Sequence, residues 1–142
     1  MHRLIARLVP MVAASLALLV MGGCGGSSDD SVVAPPPPTL SETFSGTLTL
    51  NGATTFFFAV TGAGTITAQL TTLSPDSTRP VGLGLGTWNG SICQITLPND
   101  NSVQGSVTVG AASAPGSFCV RIYDAAGTVV APQTYAIDVF HL

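Results

Sequence analysis

The 142-residue chain contains no lysine and only four arginines; charged residues make up 8% of it and the net charge is −3. A nucleic-acid partner requires a basic stripe that neutralises phosphates. None is present, so nucleic-acid binding is excluded, and the mild acidity argues equally against electrostatic docking on anionic lipid. Histidine is almost absent as well, with only His2 and His141. A serine or cysteine nucleophile needs a base and an orienting group within reach. Away from the N-terminal region only His141 could be that base, and no Gly-x-Ser-x-Gly elbow occurs. We therefore expect a chain that is not an enzyme. Metal signatures are missing in the same way: there is no Cys-x-x-Cys spacing and no Asp-x-Asp-x-Asp-Gly calcium loop. No stretch repeats its apolar residues at helical spacing, which removes amphipathic helices from the expected fold.

What is present begins at the N-terminus. Arg3 and Arg7 precede a run of about thirteen mostly apolar residues, Leu8 to Val20, the length of a secretory h-region. It falls short of the roughly 20 residues a spanning helix needs. Val20-Met21-Gly22-Gly23-Cys24 resembles the lipobox of bacterial lipoproteins, with Met21 where leucine is most usual. That resemblance implies a signal peptide over residues 1–23 and lipidation of Cys24. Two or more acyl chains, at about 0.8 kcal/mol per buried CH₂, suffice for stable anchoring. Gly25 replaces the aspartate that usually marks inner-membrane retention, so the expected location is the outer membrane, facing the periplasm or the surface.

Residues 25–40, GGSSDDSVVAPPPPTL, have little to bury. With Cys24 they are expected to form a disordered tether, with Pro35–Pro38 as a polyproline II rod. Fully extended, these residues would reach about 50 Å at ~3.1 Å each. The remaining residues, 41–142, suit a single domain with a modest core. In an exported protein, the two cysteines left there, Cys93 and Cys119, read as a disulfide.

Periodicity in this domain is two throughout. Thr43–Leu50 places Phe44, Leu48 and Leu50 on one face; Thr54–Val60 places Phe56, Phe58 and Val60 on one face and Phe57 on the other. Gly64–Thr72 groups Ile66, Ala68 and Leu70, and Val81, Leu83 and Leu85 alternate with Gly82, Gly84 and Gly86. Ser91–Leu97, Val103–Val109, Ser117–Tyr123 and Thr134–Phe140 complete about eight short strands. Asn51-Gly52 and Asn89-Gly90 carry the strongest short hairpin signal. The predicted architecture is all-β: an antiparallel, jelly-roll-like β-sandwich.

The order Thr55-Phe56-Phe57-Phe58-Ala59-Val60, Gly64-Thr65-Ile66-Thr67-Ala68, Val81-Gly82-Leu83-Gly84-Leu85, Pro115-Gly116-Ser117-Phe118-Cys119-Val120-Arg121-Ile122-Tyr123 and Tyr135-Ala136-Ile137-Asp138-Val139 resembles the bacterial pre-peptidase C-terminal domain. The likeness covers nearly all of residues 41–142. It implies a non-catalytic sandwich of the kind attached to secreted enzymes, a family of which some members are implicated in substrate or calcium binding.

Several residues are candidates for a site. The glycines of Gly82–Gly86 lack the helix and the βαβ context of a dinucleotide loop, and read instead as a strand face left bare for close packing. Trp88, with Tyr123 or Phe57 nearby, could offer a sugar ring a flat apolar face; the alternative is that it covers the sandwich edge. Asp76, Asp100 and Asp124 are the calcium candidates, in loops where Asp and Asn are also ordinary turn residues. Arg121 is expected on a solvated strand face beside a carboxylate. The expected function is that of a membrane-anchored, non-catalytic envelope lipoprotein, held by its acyl chains and presenting an interaction or structural module to an envelope protein or glycan. Alternatives are a carbohydrate- or peptidoglycan-binding module and a calcium-stabilised accessory domain for secreted enzymes.

Overall fold

A computed structural model describes residues 39–142. The expected signal peptide, the lipidation site Cys24 and the tether up to Pro38 lie outside the described residues. The described residues form eight strands: β1 (Leu40–Leu48), β2 (Ala53–Val60), β3 (Gly64–Ser74), β4 (Gly82–Trp88), β5 (Cys93–Leu97), β6 (Val107–Ala112), β7 (Gly116–Tyr123) and β8 (Gln133–His141). They make two four-stranded sheets, β1-β8-β3-β6 and β2-β7-β4-β5, with every pairing antiparallel.

This order has a simple origin. β4 pairs with β5, β3 with β6, β2 with β7 and β1 with β8, as in one long hairpin whose two arms run side by side. Rolling that hairpin brings β8 against β3 and β7 against β4, which closes the two sheets of a jelly roll. The predicted jelly-roll-like sandwich is therefore the observed fold.

The alternation read from the sequence accounts for the core. Phe58 and Val60 from β2, Ile66, Ala68 and Leu70 from β3, Leu83 and Leu85 from β4, Val120 and Ile122 from β7, and Ile137 and Val139 from β8 are all buried between the sheets. Aromatic pairs join the two sheets. Phe44 of β1 stacks on Phe56 of β2 with ring centroids 4.9 Å apart, and Phe58 of β2 stacks on His141 of β8 at 5.1 Å. The buried polar side chains Ser102, Thr108, Gln133 and His141 all have hydrogen-bond partners. The Thr108 hydroxyl donates across the core to the Leu83 carbonyl of the opposite sheet, at 3.3 Å.

Three sequence expectations are corrected. Asn51-Gly52 is not a hairpin turn, because β1 and β2 belong to different sheets. It is a corner closed by the Gly52 N–H donating to the Thr49 carbonyl, with Asn51 at φ 53°. Leu50 sits in that corner and is exposed instead of joining Phe44 and Leu48. The strand expected over Val103–Val109 begins only at Val107, because the chain before it pairs with Leu83 and Val81 and then turns at Gly105. Its inward residues are Thr108 and Ala112, while Val107 and Val109 face outward. Asn89-Gly90 does join paired strands, through a longer loop in which Asn89 Oδ1 accepts from the N–H groups of Ser91 and Ile92.

β4 is covered on both faces. An added Cβ at Gly84 would lie 3.0 Å from Ile95, one at Gly82 would overlap the Tyr123 ring, and one at Gly86 would overlap the Gln94 carbonyl. The Cys93–Cys119 disulfide reflects the same pinch. It links β5 to β7, the two strands that flank β4, with Cα atoms 5.8 Å apart. In a flat sheet those strands would stand about 9.5 Å apart. β5 is thus drawn over the outer face of β4, at the bulge between Leu85 and Gly86. The bare strand face expected from the sequence is a packing surface.

Gly86→Ala should therefore destabilise the domain by about 1–3 kcal/mol, the usual penalty for overpacking. Gly62, which has open space around it and no positive φ, supplies the control. Gly62→Ala should be neutral or stabilising by up to about 1 kcal/mol. Urea unfolding of the two variants measures both; equal midpoints would show that β4 is not constrained in this way.

Candidate functional site

Strand alternation puts one set of side chains on the outer face of the β2-β7-β4-β5 sheet. Phe57 is opposite Cys119 and Thr55 is opposite Arg121 between β2 and β7. Across β7 to β4, Cys119 faces Gly86, Arg121 faces Gly84 and Tyr123 faces Gly82. Because β4 contributes glycines there, the relief of this face comes from its neighbours.

At one end Phe57 stacks on Trp88, with centroids 5.7 Å apart and planes 16° from parallel. Trp88 is half-buried, whereas Phe57 remains 66% exposed, so the pair presents aromatic surface to solvent. Beside it the disulfide stiffens the hairpin that carries Trp88. At the other end lies a depression of about 410 Å³ lined by Ile95, Pro98, Arg121 and Tyr123. That volume is within the range of small-molecule sites, roughly 300–1,000 Å³. A smaller pocket of about 100 Å³, bounded by Leu85, Leu97, Gly110 and Phe118 among others, falls below it.

Trp88 and Tyr123 were expected as stacking residues. Both lie on this face, but Tyr123 is level with Gly82, six residues along β4 from Trp88. At about 3.3 Å per residue that is roughly 20 Å, so the aromatic partner of Trp88 is Phe57 alone. The Tyr123 hydroxyl donates to the Asp100 carboxylate, and the Arg121 guanidinium lies 5.8 Å from the Tyr123 ring centroid. Arg121 thus departs from the expected ion pair: among the described residues no carboxylate lies within salt-bridge distance of it, and its Nε is buried without an acceptor.

The calcium candidates are apart and individually engaged. Asp76 accepts from the Thr78 N–H and hydroxyl and pairs with Arg79 at 3.0 Å. The Thr78 hydrogen bonds, helped by the Arg79 charge, hold its carboxyl below the usual carboxylate range. Asp124 is partly desolvated, which would raise its pKa, yet the backbone N–H groups of Asn51, Thr128 and Val129 that donate to it prevail and lower it. It ties the β1–β2 corner to the β7–β8 loop. Asp100 serves Tyr123. Among the described residues no three His, Cys, Asp or Glu side chains gather around one point. His141, only 1% exposed, meets Glu42 Oε1 through Nε2 at 2.9 Å and the Leu142 carbonyl through Nδ1 at 3.1 Å. Neither ring nitrogen is within hydrogen-bond reach of a serine or threonine hydroxyl.

Sequence reasoning did not find Ile95 and Pro98 as walls of the depression. The signal was there in the glycine face of β4: a bare strand must be covered, and the next strand, β5, is the nearest source. No protein-family model matches this chain, and no curated protein matches it.

Burial of the Tyr123 ring, then the Asp100 hydrogen bond and charge, push its phenol from the ordinary value near 10 up to about 12, against the opposing Arg121 charge. The raised value means the folded state holds this proton more tightly than the unfolded chain. Its contribution to stability is complete below about pH 10 and is lost as pH rises through 12. Phenolate absorbance should show a tyrosine step near pH 12 that disappears in Tyr123→Phe. Asp100→Asn should move it part of the way down. A Tyr123 step at 10 in the native protein would contradict this geometry.

Proposed function

We propose that this chain is a membrane-anchored, non-catalytic lipoprotein of the bacterial outer membrane whose jelly-roll domain is a carbohydrate-binding module, with peptidoglycan glycan among its possible ligands. The observation that carries the binding part is the exposed Phe57–Trp88 stack on the sheet face that also holds a depression. A sugar ring offers C–H groups on its faces. An aromatic surface held flat by a second ring receives them with little side-chain entropy left to lose. Support also comes from rigidity, because the disulfide fixes the hairpin carrying Trp88 to β7.

The anchoring part rests on Arg3, Arg7, the apolar run to Val20 and Cys24. The residue order shared with the pre-peptidase C-terminal family supports a domain that serves other envelope or secreted proteins by binding. The wide outer face also suits an envelope-protein partner, but paired exposed aromatics favour the glycan.

A glycan array with the wild-type protein, Phe57→Ala and Trp88→Ala tests the binding part. Wild type should bind at least one glycan class, and each substitution should weaken it about tenfold or more, the loss expected for one stacking contact of ~1–2 kcal/mol. Binding unchanged by either substitution would refute the assignment. Expressed in a bacterial host, the wild-type chain should incorporate labelled palmitate and Cys24→Ala should not; a wild-type chain that takes up no label would refute the anchor.

A further inference from the structure

The described residues hold two arginines, Arg79 and Arg121. Arg79 is committed: it pairs with Asp76 at 3.0 Å and donates to the Thr128 carbonyl at 3.1 Å. Arg121 has no hydrogen-bond acceptor and no ion-pair partner among the described residues. A guanidinium is a rigid fork of five donors that suits a carboxylate in two parallel hydrogen bonds. The terminal Nη groups of Arg121 are not buried and donate to nothing among the described residues, so they stay open to an incoming acceptor. The guanidinium carbon lies 5.8 Å from the Tyr123 ring centroid, and Ile95 and Pro98 wall the depression that Arg121 lines. Asp100, the nearby carboxylate, is taken up by the Tyr123 hydroxyl and stands beyond salt-bridge distance of Arg121.

Position gives this free cation a meaning. Phe57 is opposite Cys119, and Arg121 is two residues along β7 on the same face. Such diagonal neighbours are about 7–8 Å apart. A glycan with one ring on the Phe57–Trp88 pair and its chain running along β7 would pass over the guanidinium. We infer that Arg121 is a carboxylate-recognition residue and that the glycan class bound on this face carries a carboxylate on the sugar itself, as uronic acids do. This rests on the glycan reading above and narrows it from sugars in general to acidic sugars.

The test compares one polymer in two forms, polygalacturonate and its methyl ester, so that the ring is constant and only the carboxylate is masked. Calorimetric titration of the wild-type domain should show the acid form binding about tenfold or more tightly than the ester, the scale of one charge-assisted pair. Arg121→Gln should abolish the preference while retaining the weaker ester binding, and Arg121→Lys should restore part of it. Equal affinity of wild type for the two forms overturns the inference and leaves the glycan reading standing, provided that binding still depends on Phe57 and Trp88. Absence of binding to either form and to neutral glycans overturns both. If Arg121→Gln does not fold, the comparison of the two polymer forms on the wild type decides alone.

Discussion

The sandwich depends on Gly82, Gly84 and Gly86, which leave the outer face of β4 bare up to Trp88. Gly82, Gly84 and Gly86 let the Tyr123 ring, the Ile95 side chain and the β5 backbone settle directly on the strand. The opposite face of β4 carries Leu83 and Leu85 into the core, so the strand is buried from both sides. Close approach of β5 brings Cys93 over to Cys119, and the disulfide then holds what the glycines permit. The depression next to Arg121 is walled by the same covering groups, Ile95 over Gly84 and the Tyr123 ring over Gly82. A Cβ on β4 would push its cover away and alter the floor of the site, so packing and candidate function are the same constraint seen from two directions.

The connections between the sheets are governed by polar groups. Jelly-roll winding requires the chain to cross between sheets at every connection except β4–β5, and each crossing leaves backbone donors without a strand partner. Asp124 answers one such need by accepting from Asn51, Thr128 and Val129. Gln133 Oε1 accepts from Asp76, and Gln104 Oε1 from Leu73. Of the loop carboxylates that looked like cation ligands in the sequence, Asp124 and Asp76 accept from backbone N–H groups and Asp100 from the Tyr123 hydroxyl. An oxygen that already receives two or three N–H groups has little left to offer a metal.

The fold was legible because strand alternation is a local signal and the core residues obey it: Ile66, Ala68 and Leu70, or Leu83 and Leu85, are buried as their spacing implies. What failed was information that is not local. Asn51-Gly52 has hairpin chemistry, yet whether the strands it joins pair with each other depends on the roll of the whole chain. Val107 and Val109 look like core residues, but β6 is a sheet edge, and its register against β3 turns Thr108 inward. The candidate site was partly legible for the same reason. Parity placed Phe57 outward and alternation placed Arg121 outward. That Arg121 lacks a carboxylate partner, and that Ile95 and Pro98 stand beside it, depends on how far β5 folds over β4, which no window of sequence contains.

Charge then constrains what kind of recognition this face can perform. Among the described residues Glu42, Asp76, Asp100, Asp124 and Asp138 outnumber Arg79 and Arg121, so the domain's long-range field repels anions. Screening confines that repulsion to about 8 Å at physiological ionic strength. An acidic ligand would therefore gain nothing from steering and would depend on short-range geometry: an aromatic surface for its ring and two aligned N–H donors for its carboxylate. Those are the elements that the outer face brings together in Phe57, Trp88 and Arg121. A surface built this way would discriminate by shape and hydrogen-bond direction rather than by charge-steered encounter.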